Sequence, residues 1–180
     1  MENSLTINKI VCESISLALV QLMNKKPFNQ ITISEITKTA GVGRSSFYRN
    51  FDSKEQILLS YIHNLYGDFF SAKDILSVYP KQTDLEHFLI PRFRFIKKHK
   101  DFFIALRKNN LLYYIFEQME PELILLLCGQ DNSLSKYYCS MFSGSCASIV
   151  RLWIDTDFKE TEEEMAAIFA NHPLSTLYSN

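Results

Sequence analysis

Glycine and proline are scarce in this chain, at five each in 180 residues. Forced turns are therefore few, which favours long helices over a fold of many short strands. The four cysteines, Cys12, Cys128, Cys139 and Cys146, form no CxxC pair and lie among apolar or small residues. Buried reduced thiols are expected there, not a disulfide framework or a metal site. Neither sign of charge is in excess, the formal net charge being −1. That excludes a chain basic throughout, but not a local basic patch. No apolar run reaches the roughly 18 residues of a membrane span. The opening MENSLTINKI lacks a basic stretch followed by an apolar one, so no secretory signal and no membrane partner are expected, and the expected location is cytoplasmic. A glycine-rich phosphate loop, a nucleophile elbow and a His/Cys cluster are all missing, and His87 and His99 have no partner at metal spacing. Catalysis, a bound metal and a cofactor are therefore not expected.

What the chain does have is apolar, aromatic and helical. Hydrophobic residues make up 47%, with 14 Phe and 9 Tyr. Such a length can bury about two thirds of its unfolded surface. Residues 5–25 read as a helix with Ile7, Ile10, Val11, Ile15, Ala18 and Leu22 on one face. Thr32-Ile33-Ser34-Glu35 has the form of a capping box, opening a short helix that Gly41 ends by taking the left-handed conformation cheaply. Arg44 to Asn50 is a second short helix. A second capping box, Ser53-Lys54-Glu55-Gln56, opens a long helix carrying Ile57, Leu58, Tyr61, Ile62, Leu65 and Phe69.

Later breaks are read at Val78-Tyr79-Pro80, at Asn109-Asn110, at Pro121 and at residues 129–132, and Pro91 is expected to kink or split its helix. Residues 133–155 give a long helix with Leu134, Tyr138, Met141, Ser145, Ile149 and Leu152 on one face and small residues at its middle. Thr161-Glu162-Glu163-Glu164 caps a last helix over 162–171. The expected fold is all-α, with about nine helices. An N-terminal three-helix helix-turn-helix domain covers 1–55, and a C-terminal helical bundle for ligand sensing and dimerisation covers 56–180.

Two short helices on a glycine turn, packed between longer ones, form a helix-turn-helix, whose second helix enters the major groove. Val42, Phe47 and Phe51 are spaced to face inward. That leaves Arg44, Ser45, Ser46, Tyr48 and Arg49 outward, behind a cap at Gly43. Arg44 can fork onto guanine O6 and N7, and serine hydroxyls can read donors or acceptors. Tyr48 and Lys54 suit phosphate contacts. So do the helix starts around Thr32, Ser34 and Ser53. Charge leans the same way but weakly: residues 1–60 hold seven Lys+Arg and five Asp+Glu, the rest twelve and fifteen.

The run from Ile31 to Glu55 resembles the N-terminal module of TetR-family transcriptional regulators. It shows the I-T-x-x-E-I helix, the A-G-V turn, the F-Y pair and the closing S-K-E, with Gly43 where that family often has Ser or Thr. More weakly, Phe142 to Gly144, Arg151 to Ile154 and Thr161 to Ala166 are similar to a subgroup that includes regulators of dihydroxyacetone-kinase operons. The resemblance implies a bacterial homodimer on palindromic double-stranded operator DNA, probed by a small-molecule effector, and most simply a repressor. An activator of the same family, or a sensor acting through a protein partner, are the alternatives. Expected dimer residues are Met141, Gly144, Ser145, Ser148, Leu152, Met165 and Phe169. Expected pocket residues are Phe93, Phe103, Tyr113, Tyr114, Phe116, Tyr138 and Phe142.

Overall fold

The computed structural model describes residues 2–67, 85–117 and 135–171. The breaks read at Val78-Tyr79-Pro80, Pro121 and 129–132 lie outside these, as do Cys128 and the side chains of Tyr138, Cys139 and Phe142. All regular structure among the described residues is helical. The chain divides into two compact units: Met1–Phe69 with Ile104–Asn110, and Phe70–Phe103 with Leu111–Asn180.

In the first unit, helix α1 (Glu2–Met23) packs on α2 (Ile33–Ala40), α3 (Arg44–Asn50) and α4 (Lys54–Gly67). A 3-10 turn, Phe28–Gln30, joins α1 to α2. Ile15, Leu19 and Met23 of α1 are buried with Ile31, Ile36, Phe47, Phe51, Ile57, Leu58 and Ile62. Each such side chain contributes about 1.5–3 kcal/mol on burial, which is what holds helices as short as α2 and α3 in place. Ile7 and Ile10, expected on the inner face of α1, are exposed. All of residues 7–10 are exposed, so the apolar spacing there has no cover from the described residues.

In the second unit, α5 (Leu85–Lys98) runs unbroken through Pro91. The expected split does not occur: Pro91 lies on the exposed side, where the His87 carbonyl that loses its helical donor is near solvent. Helix α6 (Lys100–Lys108) follows, and its end, from Ile104, belongs to the first unit. Asn110, at φ 56°, makes the expected corner before α7, which begins at 112 and is described to 117. Helices α8 (Ser135–Asp155) and α9 (Glu162–Ala170) complete the unit, with α9 packed on α5.

The centre of this unit is aromatic. Phe93 meets Trp153 edge to face at 5.5 Å and Phe169 at 6.5 Å, and Phe158 stands 5.0 Å from Trp153. The indole N–H of Trp153 donates to the Glu160 carbonyl at 3.0 Å. Asp157 and Phe158 turn the chain with φ of 54° and 55°. That region is costly for a bulky residue. It is offset by the bond from Phe158 N–H to the Trp153 carbonyl at 2.8 Å and by burial of the Phe158 ring. Thr161 and Glu164 then form the expected reciprocal cap of α9. Arg94–Glu163 and Lys97–Glu162 pair α5 with α9 at the surface, where such bridges contribute about 0–1 kcal/mol.

Candidate nucleic-acid interface

The turn begins at Thr32. Its hydroxyl accepts from the Glu35 N–H at 3.3 Å, and the Glu35 carboxylate accepts from the Thr32 N–H at 2.9 Å. Lys26 donates to the other carboxylate oxygen at 2.6 Å and to the Gln30 carbonyl at 3.0 Å. The Lys26 hydrogen bond, with those from Thr32, pulls the Glu35 carboxyl down to about 2. The carboxylate therefore takes the N–H and hydroxyl of Thr32, so that part of the α2 start already holds an internal anion. Ser34 stays exposed beside it.

Gly41 ends α2 at φ 67°, ψ 28°. Among the described residues a Cβ there would meet nothing within 4 Å, so the requirement for glycine is conformational and not steric. The Val42 N–H reaches back to the Thr37 carbonyl at 3.0 Å and locks the turn. Val42 is half-buried and Gly43 exposed. As the cap of α3, Gly43 offers no side-chain acceptor.

Helix α3 has two sharply different sides. Phe47 is 0% exposed and Phe51 is buried, with their rings 6.1 Å apart. Arg44, Ser45, Tyr48 and Arg49 are exposed and Ser46 is half-buried. Among the described residues neither arginine is paired with a carboxylate. Asn50 donates to the Ser46 carbonyl at 2.8 Å, tying down the last turn. Four of the five residues that the spacing turns outward are thus exposed and Ser46 is not, and Lys38 and Thr39 at the end of α2 are exposed as well.

Lys54 is placed otherwise than expected. Its ammonium donates to the Phe28 carbonyl at 2.8 Å and the Ile31 carbonyl at 2.7 Å, and lies 4.6 Å from the centre of the Phe28 ring. Two of its three donors are thus used inside the unit. Ser53 accepts from the Gln56 N–H at 3.2 Å, but the Gln56 side chain returns to the N–H of Asp52, one residue earlier than a capping box requires.

In the second unit α8 also has two sides. Ser143, Ala147, Val150 and Trp153 are buried, and the Ser143 hydroxyl donates to the Phe116 carbonyl at 3.1 Å. Met141, Ser148 and Leu152 are exposed, with Gly144 and Ser145 half-buried, and Tyr137 extends this outer side. Met165 and Phe169 are buried inside the protomer, and on α9 the exposed apolar residue is Ile168. Of the expected pocket residues, Phe93, Phe103 and Phe116 are buried, Tyr114 is half-buried and Tyr113 is exposed.

A glycine turn joining a capped helix to a short helix with one apolar and one basic, hydroxyl-bearing side defines a helix-turn-helix DNA-binding protein. Residues 15–61 match the family described as bacterial regulatory proteins, tetR family, and residues 83–172 match the transcriptional regulator C-terminal region of such proteins. The chain belongs to the TetR family of transcriptional regulators. It is 31% identical over 104 residues, 56% of its length, to the HTH-type transcriptional regulator YerO of Bacillus subtilis (strain 168), covering 36% of that protein. It is 25% identical over 126 residues, 66% of its length, to the dhaKLM operon transcriptional activator DhaS of Lactococcus lactis subsp. lactis (strain IL1403), covering 65% of it. The chain thus spans between about a third and two thirds of the length of these curated relatives. The crystal structure of a TetR transcriptional regulator from Streptococcus agalactiae 2603V superposes with a TM-score of 0.57 at 18% identity, covering 94% of this chain and 96% of that one. At that identity the likeness speaks for the fold. Among the described residues no helix is long and apolar enough to cross a membrane.

Proposed function

We propose that the chain is a homodimeric regulator that reads a palindromic operator with α3 and changes its DNA affinity when a small molecule binds its second unit. The observation that carries this is the division of α3: Phe47 and Phe51 fix it from within, and Arg44, Ser45, Ser46, Tyr48 and Arg49 are left to meet DNA. Arg44 is assigned to a guanine edge, Tyr48 and Arg49 to phosphates and Ser45 and Ser46 to base or phosphate oxygens. Gly43, Thr32 and Ser34 border the phosphate path. Lys54 is assigned chiefly to holding the Phe28–Ile31 turn.

One α3 reads too few base pairs to find a site in a genome, and a twofold dimer doubles them. The outer side of α8, Tyr137, Met141, Gly144, Ser145, Ser148 and Leu152, together with Ile168 of α9, supports a second copy as its cover. A mid-helix glycine costs about 1 kcal/mol against alanine. Among the described residues an added Cβ at Gly144 meets nothing within 4 Å, so a closely approaching helix of another copy is the reason we assign it. Within the aromatic second unit we place the effector near Tyr113, Tyr114 and Phe116, because Phe93 and Phe103 are already packed against other rings. A repressor is the simplest reading. The similarity to DhaS favours an activator as the second one. Either role places the protein in the cytoplasm with the chromosome and asks no catalysis of it.

A gel shift with the duplex upstream of the protein's own gene tests the reading. Binding that is sequence-specific and weakens steeply with salt is expected. Absence of such binding with and without candidate effectors would sink it.

A further inference from the structure

The side chain of Asn109 is built into the first unit from far along the chain. Its amide oxygen accepts from the Phe28 N–H at 2.6 Å, across 81 positions of sequence. Its amide nitrogen donates to the Met23 carbonyl at 3.0 Å and to the Ala105 carbonyl at 2.8 Å. The orientation of the amide is fixed by its partners. A flip would set NH2 against N–H and oxygen against two carbonyls.

Phe28 is held from the other side as well. Its carbonyl accepts from Lys54, whose ammonium also takes the Ile31 carbonyl and faces the Phe28 ring. Both polar backbone groups of Phe28 therefore answer to side chains remote in sequence. The turn they grip leads straight into Thr32, the cap of α2, and α2 leads through Gly41 into α3. Lys54 is the first residue of α4, four positions beyond Asn50, the last residue of α3. The Phe28–Ile31 turn and Lys54 thus bound the helix-turn-helix at its entry and its exit, and Asn109 fixes the entry.

We propose that Asn109 is a positioning residue for the recognition helix, acting on α3 through Phe28 and Lys54. The bland alternative is that Asn109 only satisfies the last carbonyls of α1 and α6. That role would show in stability alone. The proposal rests on α3 meeting DNA, so its test has one readout with DNA and one without.

The full chain is compared as wild type, Asn109→Ala, Asn109→Asp, Lys54→Met and the Ala/Met double variant, at a temperature where each is folded. Without DNA, amide chemical shifts of Arg44–Asn50 are expected to move in Asn109→Ala and along the same direction in Lys54→Met. With operator duplex, Asn109→Ala is expected to lose about tenfold in specific affinity, equivalent to about 1.4 kcal/mol. Binding to unrelated duplex should change by less than about threefold, and the double variant should lose less than the product of the singles, as coupled residues do. Asn109→Asp keeps an acceptor for Phe28 but sets a carboxylate against two carbonyls. It should lower Tm as much as Asn109→Ala while keeping most of the specific affinity. Unmoved α3 shifts, or losses that follow Tm across all variants and multiply in the double, would overturn the proposal. Moved shifts with no specific binding by the wild type would instead count against the operator reading alone.

Discussion

Phe47 and Tyr48 stand side by side in α3, their rings edge to face at 5.2 Å, yet one is 0% exposed and the other 60%. The chain spends the first on its core and leaves the second on the surface. Phe47→Ala should therefore cost about 3–5 kcal/mol in chemical denaturation. Tyr48→Ala should cost less than about 1.5 kcal/mol, the scale of an aromatic pair, and weaken DNA binding instead. If Tyr48→Ala destabilised the fold as much as Phe47→Ala, the inward and outward sides of α3 would be misassigned.

Acid should act through Glu35. Its folded pKa, about 2, is depressed from an ordinary 4.5 by Lys26 and Thr32. A depressed carboxylate adds stability that is present above its unfolded pKa and lost as pH falls toward the folded one. The wild type should therefore weaken between pH 4.5 and about 2, and Glu35→Gln should be weaker at neutral pH and flatter through that window. Parallel stability–pH curves for the two proteins would show that the capping network is not formed in solution.

Gly41 should resist substitution for backbone reasons only. At φ 67°, with no described atom within 4 Å of an added Cβ, Gly41→Ala should cost about 1–2 kcal/mol, and Gly41→Asn less. Equal losses for the two variants would point to a steric role that the open surroundings do not provide.

The outer side of α8 carries the prediction on assembly. Leu152 is 58% exposed in the protomer, so Leu152→Glu should convert a dimer to monomers in light scattering, with little change in the protomer's fold. Trp153, one residue on, is buried against Phe93 and Phe158. Its emission should stay that of a buried indole in the variant and redden only on unfolding. A variant that stays dimeric would move the interface elsewhere.

The helix-turn-helix was legible because its signals are local. Thr32 and Glu35 are three residues apart, Gly41 marks its own turn, and Phe47 and Phe51 share a face by helical spacing. The grip on Phe28 was not legible. Asn109 lies 81 positions away, and nothing in the surroundings of an Asn-Asn corner says which carbonyls it will meet. Lys54 looked like a phosphate ligand because an isolated lysine at a helix start shows only its charge. On α8 the small residues read as one seam, but they divide: Ser143 and Ala147 face the core, Gly144 and Ser148 do not. Met165 and Phe169 read as interface and lie inside, since apolar spacing does not tell a partner's surface from the protomer's own core.

If α3 reads sequence through its exposed edge, Arg44 is the residue whose loss must show it. Binding of wild type and Arg44→Ala is measured by anisotropy on the upstream duplex and on duplexes changed one base pair at a time. A loss of about 1–3 kcal/mol is expected, confined to one position of each half-site, where Arg44→Ala no longer distinguishes bases. An equal loss on every duplex, or none, would contradict it.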